Sequence, residues 1–308
     1  MSEILVGVDG TSRGEDALAF AERLAADSGA ALRLVMAYPY EEWPSRTASH
    51  EYGAFLRREA IADLDRLATS LGAADVPRQV VADPSPARAL QHVADQTEAS
   101  LIVVGSTERG VVGRVLPGST AERLLHGSAC PVAIVPHGYR ERQDAPVKLV
   151  GVGYDGSDES ESALAAAASV ARRLGASLRV IMIFDDAQVG TPMAAGLGLG
   201  LGYVGLRREL EDTQRAHLEQ RVAELPKGLS AEGMFLVGTP GRRLADETHD
   251  VDLMVVGSRG YGPLRAVLLG GVTHVLVHEA ACPVLMLPRG AHDGVERIFG
   301  AVAKATAP

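Results

Sequence analysis

The chain has 308 residues, 46% of them apolar and 22% charged, which suits two globular domains. With only 4% aromatic residues, the cores must be built from Ala, Val, Leu and Ile. A formal net charge of −9 argues against nucleic acid or anionic membrane as the main partner, since both require a basic footprint.

Taken in chain order, short β-rich runs alternate with helical stretches. Strands are expected at Ile4 to Val8, Leu32 to Ala37, Gln79 to Ala82, Leu101 to Gly105 and Val132 to Val135. Several are continuously apolar, as strands buried on both faces of a parallel sheet must be. Helices are expected at Glu15 to Ala26, Tyr52 to Leu71, Pro86 to Ala94 and Thr120 to His126. Ser12-x-x-Glu15 and Ser119-x-x-Glu122 read as capping boxes, in which a hydroxyl and a carboxylate satisfy the first free N–H groups.

The whole pattern then recurs. ILVGVDGTSRGEDALAFAERLA returns as LVGVGYDGSDESESALAAAASVA, with Asp9 mapping to Asp155 at a constant offset of 146. SLIVVGSTERG returns as DLMVVGSRGYG and SACPVAIVP as AACPVLMLP, with Gly105 mapping to Gly257 at an offset of 152. Asp158-x-x-Glu161 keeps the capping pattern. The extra residues fall near AQVGTPMAAGLGLGLGYVG, where no regular pattern holds. The polar stretch HGYRERQDAP ends in proline and reads as a linker. The expected organisation is a first domain at 1–138, a linker at 139–147, a second domain at 148–289 and a tail at 290–308. Each domain is expected to be α/β, a doubly wound sheet of five parallel strands with helical crossovers.

In such sheets a ligand binds at the carboxyl ends of the strands, where the winding reverses. The first strand ends in Gly7-Val-Asp9-Gly-Thr-Ser. The fourth ends in Gly105-Ser106 and runs through Arg114 to Gly118-Ser119-Thr120 at a helix start. Glycine allows close backbone approach, and a helix N-terminus offers unpaired N–H groups and a positive dipole end to phosphate. If strands one and four are neighbours, an acidic side chain and a phosphate cradle share one crevice.

These residues carry a resemblance over nearly the whole chain. Both halves are similar to the universal stress protein family in its tandem-domain form. ATP-binding members of that family carry Gly-x2-Gly-x9-Gly-(Ser/Thr) after the fourth strand. The resemblance implies an adenine nucleotide hydrolase-like fold and a ligand such as ATP with Mg²⁺. It implies adenosine contacts for Asp9 and Asp155, and close approach at Gly7 and Gly153. It implies an adenine pocket lined by Ala37 and Ile183, and phosphate contacts for the loop residues. The second half keeps every glycine: Gly257-Ser258-Arg259-Gly260, nine residues, then Gly270-Gly271, followed by Val272 and Thr273. Gly271 stands where the family has a hydroxyl residue. In the first half Glu108 replaces the inner glycine, which places a carboxylate near phosphates. On loop geometry the second site ranks above the first. The expected role is sensing or regulation in stress response, with the two domains packed about a pseudo-twofold and a homodimer as a further assembly. A slow ATP hydrolase or phosphotransfer enzyme, and a nucleotide-free dimerisation module, remain open as alternatives.

Other motifs read as ordinary structure. Gly200-x-Gly202-x-x-Gly205 matches a dinucleotide fingerprint by letter, but lacks the preceding strand and reads as a flexible insertion. His274 and His278 have metal-pair spacing yet read as a solvated helix face. Cys130 and Cys282, each in Cys-Pro-Val, read as small buried residues. The N-terminus lacks a signal-type segment, and Met193 to Leu206 is too short and glycine-rich to span a bilayer, so a cytoplasmic protein is expected.

Overall fold

The structure, a computed structural model, describes residues 2–40, 47–107, 114–142, 146–185, 200–258, 271–288, 295 and 298–300. The first half runs β1 (Glu3–Gly7), α1 (Ser12–Ser28), β2 (Ala31–Tyr38), α2 (Thr47–Ser70), β3 (Arg78–Ala82), α3 (Pro86–Thr97), β4 (Leu101–Gly105), α4 (Ser119–Gly127) and β5 (Val132–Val135). A 3₁₀ turn at Arg140–Arg142 follows. The second half repeats the order: β6 (Leu149–Gly153), α5 (Asp158–Leu174), β7 (Ser177–Phe184), α6 (Gly200–Ala223), β8 (Ala231–Val237), α7 (Pro240–Glu247), β9 (Leu253–Gly257), α8 (Gly271–Glu279) and β10 (Val284–Leu287).

The ten strands form one sheet in the order β3-β2-β1-β4-β5-β10-β9-β6-β7-β8. Every pairing within a half is parallel; β5 and β10 meet antiparallel, with Leu285 opposite Ala133. Two five-stranded units thus join edge to edge about a pseudo-twofold between those strands. The pairing covers an edge in each half that would otherwise expose unpaired backbone. Both sheet faces are covered. Ile4 and Val6 face the layer of α1 and α2, and Leu5 faces α3 and α4. This two-sided burial is why the strands read as unbroken apolar runs.

The link between the halves is held by a group the sequence did not advertise. Asp16 on α1 is 3% exposed; its carboxylate accepts the backbone N–H of Gly138 at 2.9 Å and of Arg140 at 2.8 Å. Tyr139 packs edge-on against Phe20, and Arg140 pairs with Glu15.

Two expectations need correction. The helices start one residue off the capping-box reading. The N-cap of α1 is Thr11, that of α5 is Ser157 and that of α4 is Gly118, so Ser12, Asp158 and Ser119 are the first helical residues. Ser157 caps with its hydroxyl, whereas Thr11 and Gly118 give no side-chain cap. Gly200, Gly202 and Gly205 lie in the opening turns of α6 rather than in a loop, so they do not form the turn that a dinucleotide fingerprint requires. Neither His274 nor His278 belongs to a cluster able to hold a metal among the described residues. His278 donates through Nδ1 to the His274 carbonyl at 2.7 Å, and its Nε2 lies 3.7 Å from Glu122 across the pseudo-twofold. Cys282 is buried, and Cys130 donates through Sγ to the Ala99 carbonyl. Among the described residues no helix is long and apolar enough to cross a membrane.

Candidate functional site

β1 and β4 are neighbours, with Gly7 opposite Val104. The chain winds from β1 outward to β3, then returns to the other side of β1, so the winding reverses between these two strands. An open crevice sits there at their carboxyl ends. Its walls are Gly7, Val8, Asp9 and Arg13 from the first strand and helix, and Val35 and Ala37 from β2. Pro86 and Leu90 come from α3, Val104 and Gly105 from β4, and Gly118 to Ala121 from α4. Of the residues expected in the first half, Gly7, Asp9, Ala37, Gly105, Gly118, Ser119 and Thr120 come together there. Two do not line it. Ser106 is 1% exposed and turned into the protein, its Oγ without a partner among the described residues; Arg114 is exposed on the loop beyond.

The local chemistry follows from the turns. Asp9 folds back on its own loop, accepting from the Thr11 hydroxyl at 2.6 Å and the Thr11 N–H at 3.2 Å. Its second oxygen meets Arg13 Nη2 at 2.8 Å, and Arg13 Nε donates to Thr11 Oγ1 at 3.1 Å. Opposite, the N-cap of α4 is Gly118, where a Cβ would meet nothing within 4 Å. With no side chain over it, the first turn of α4 offers its N–H groups to the crevice. An acceptor, a cation and a bare helix terminus therefore face one cavity wide enough for an anion.

The strand-end glycines have a second cause. A Cβ on Gly105 would overlap the backbone carbonyl oxygen of Arg13, and one on Gly257 would lie 2.5 Å from that of Glu159. The glycine lets the first helix of each half press its opening turn onto the fourth strand. Arg13 and Glu159 thereby occupy matching places in the two halves.

In the second half Asp155 makes the same turn, accepting from the Ser157 hydroxyl at 2.5 Å and N–H at 3.1 Å. Gly153 ends β6, Ile183 lies near the end of β7, Gly257 ends β9, and Gly271, Val272 and Thr273 open α8. Ser258 is fully buried, its Oγ, like that of Ser106, without a partner among the described residues. Arg259, Gly260 and Gly270 lie outside the described residues, as do Glu108, Arg109 and Gly110.

The model of the universal stress protein family matches residues 1–136 and again 146–288. The chain belongs to the universal stress protein family. A universal stress protein of Mycobacterium tuberculosis is 28% identical over 292 residues, 92% of this chain and 96% of the relative. A second from that organism is 30% identical over 258 residues, 81% of this chain and 82% of its own. The crystal structure of a universal stress protein from Archaeoglobus fulgidus shares the fold at a TM-score of 0.64 and 22% identity, covering 94% of this chain and 98% of that one.

Within this universal stress protein each half adds polar groups that the other lacks. In the second, Tyr154 is buried where the first half has Val8. Its hydroxyl donates to Glu161 Oε1 at 2.5 Å and lies 3.1 Å from His217 Nε2, on whose ring it stacks. Arg221 grips Glu161 through both oxygens, at 2.7 Å and 3.0 Å. Burial and the Glu161 carboxylate push the Tyr154 hydroxyl well above the usual phenol range. Burial alone would raise Glu161, but the hydrogen bonds from Arg221 and Tyr154 outweigh it and hold the carboxyl low. In the first half, Asp83 at the end of β3 takes a two-pronged grip from Arg88, at 2.6 and 2.8 Å, and is held below the usual carboxylate range mainly by it.

Proposed function

We propose that this protein binds adenine nucleotide, ATP in the first instance, and that occupancy regulates it in stress response rather than feeding a fast reaction. The two halves, 1–138 and 148–289, each supply a site. The observation that carries this reading is the bare N-terminus of α4 at Gly118, facing Asp9 across a crevice at the point where the winding reverses. Phosphates lie against the first turn of α4, the adenosine moiety lies toward Asp9, and the base rests on Ala37 and Val35. Asp155, Ile183, Gly257 and α8 play the same parts in the second half. The sequence carries no Gly-x4-Gly-Lys-(Ser/Thr) phosphate loop, and Asp9, the carboxylate among the described residues lining the first crevice, is tied to Thr11 and Arg13, which weighs against fast turnover. Occupancy acts by favouring one conformation or assembly over another, to the extent that the two differ in affinity.

Calorimetric titration of the nucleotide-stripped protein with ATP and Mg²⁺ tests the reading. Binding that is lost stepwise in Asp9→Ala and Asp155→Ala supports it. Absence of heat and of any thermal shift with every adenine nucleotide refutes it in favour of a nucleotide-free module. Steady ATP consumption that vanishes in Asp155→Ala would favour the enzyme.

A further inference from the structure

The phosphate side of the first crevice is anchored from the other half. The chain enters α4 through a short neck that is fixed twice. The Leu116 carbonyl accepts from the Thr107 N–H at 2.8 Å, which closes the neck on the end of β4. The Val115 N–H donates at 2.7 Å to the carbonyl of Ala280, just past the end of α8. Val115 and Ala280 are both fully buried. Shortly after Val115 comes Gly118, the N-cap whose bare helix start faces the crevice.

The Ala280 carbonyl belongs to a peptide group that is also held from its other side. Peptide units are planar, so the Ala280 carbonyl and the Ala281 N–H turn together. The Ala281 N–H donates at 2.8 Å to Thr248 Oγ1, at the C-cap of α7. Thr248 is 1% exposed, and its hydroxyl donates in turn to the Ala245 carbonyl at 2.5 Å. Thr248 therefore sets the plane of the peptide on which Val115 is anchored. Without that hydroxyl the Ala281 N–H loses its acceptor, and turning to find another carries the carbonyl away from Val115. We infer that Thr248, a residue of the second half, positions the phosphate-binding end of the first crevice. The inference rests on the nucleotide reading above. Thr248 touches no ligand; it acts through the peptide between Ala280 and Ala281, and through Val115, on the first turn of α4. A chain in which this hold is loosened spends part of its time with the α4 terminus out of place, and its apparent affinity falls accordingly. The effect belongs to the phosphates. Val35, Ala37 and Asp9 on the nucleoside side stand on β2 and in the turn after β1, apart from this chain of bonds.

The test is calorimetric titration of ATP and of adenosine into Thr248→Val and Thr248→Ser. Each is made in the full chain carrying Asp155→Ala, so that the first crevice is read alone. Thr248→Val should weaken ATP at least about fivefold, the low end of coupling between distant sites, and leave adenosine unchanged. Thr248→Ser keeps the hydroxyl and should restore ATP binding. Unchanged ATP affinity in Thr248→Val, an equal loss for adenosine, or no rescue by serine would overturn the role of Thr248 while leaving nucleotide binding intact. Hydrogen exchange in the wild-type chain gives a second test that holds even if Thr248→Val does not fold. ATP, but not adenosine, should slow the Val115 and Ala281 amides more than those of β2, and equal slowing throughout would overturn the inference. ATP binding to the wild type but not to the Asp155→Ala parent would overturn it too, since the first crevice would then take no ligand. No binding of ATP or adenosine to the wild type would remove the nucleotide reading itself.

Discussion

The two halves share a backbone plan yet solve different problems around the same strand ends. Where chain packs on chain they agree: a glycine ends the fourth strand, an aspartate turn follows the first, and a left-handed glycine closes the first helix, at Gly29 and at Gly175. Where side chains meet solvent or a partner they part. The first half spends Asp16 on the linker, while its counterpart Ser162 is part-exposed and donates to the Asp158 carbonyl of its own helix. The second half builds Tyr154, Glu161, His217 and Arg221 into a network where the first has Val8, Glu15, Asp63 and Leu67. Duplication thus kept what sterics dictate, and the rest was free to diverge.

The largest effect should fall equally on both halves. Gly105→Ala and Gly257→Ala each drive a methyl group into a backbone carbonyl that cannot rotate away, so helix and strand must separate. Each should cost about 3 kcal/mol in urea unfolding, the upper end for overpacking. If one half tolerates the change, the matched packing is not what fixes these glycines. The next effect should be confined to one half. Asp16→Ala leaves two backbone N–H groups of the linker without their acceptor, which should cost about 2 kcal/mol. Ser162→Ala should change stability by less than about 0.5 kcal/mol, as surface substitutions do. Equal losses in the two variants would mean that the linker clasp contributes nothing of its own.

This split also explains what could be read in the sequence. The sheet was legible because strands buried on both faces must be apolar without interruption, and because the repeat showed each element twice. The crevice was legible as far as Asp9 and Gly105, whose types are dictated by a turn and by close approach, and Gly118, which was legible as the glycine before a helix start. The helix caps were misplaced by one because Ser-x-x-Glu was fitted to Ser12 and Ser119, while the chain enters each helix a residue earlier, at Thr11 and Gly118. That shift matters for function, since it is the glycine, not the serine, that leaves the terminus of α4 bare. The run at Gly200 was read as loop because glycine disfavours helix; its place at the head of the 24-residue α6 shows context overriding propensity. Arg13 escaped notice because matches define a repeat, and the second half has Glu159 in its place. Asp16 could not have been found: its partner Gly138 lies 122 residues away, and no local pattern announces the pairing.

A smaller effect should separate the second half from the first. Tyr154→Phe keeps the packing but removes the hydroxyl between Glu161 and His217, and should cost about 1.5 kcal/mol near neutral pH, as a hydrogen bond to a charged group does. The same variant tests the direction of the Tyr154 shift. A phenol raised in the folded state contributes its full stability below the unfolded value of about 10, and loses it as pH climbs from there toward the folded value. The wild type should therefore weaken relative to Tyr154→Phe above about pH 10. Parallel stability curves through the alkaline range would show that the network does not distinguish the phenol from phenolate.

The smallest effect belongs to the first half and appears only in acid. Asp83 is held low by Arg88, so this pair contributes stability above the unfolded carboxyl value of about 3.9 and loses it as pH falls through the lower folded value. Arg88 is largely exposed, which limits the contribution at neutral pH to less than about 1 kcal/mol. Arg88→Ala should lower stability by that margin from pH 5 to 8, and the gap to wild type should close below about pH 4. In the second half Arg242 matches Arg88, but Gly238 stands where Asp83 does, its N–H bonding the Phe184 carbonyl as that of Asp83 bonds Tyr38, so Arg242→Ala should leave the shape of the acid limb unchanged. Because Ser85 and Pro86 tie this corner to the wall of the first crevice, the pair also steadies the mouth of that site. If Arg88→Ala and Arg242→Ala were to give the same acid profile, this grip on Asp83 would make no measurable difference between the halves.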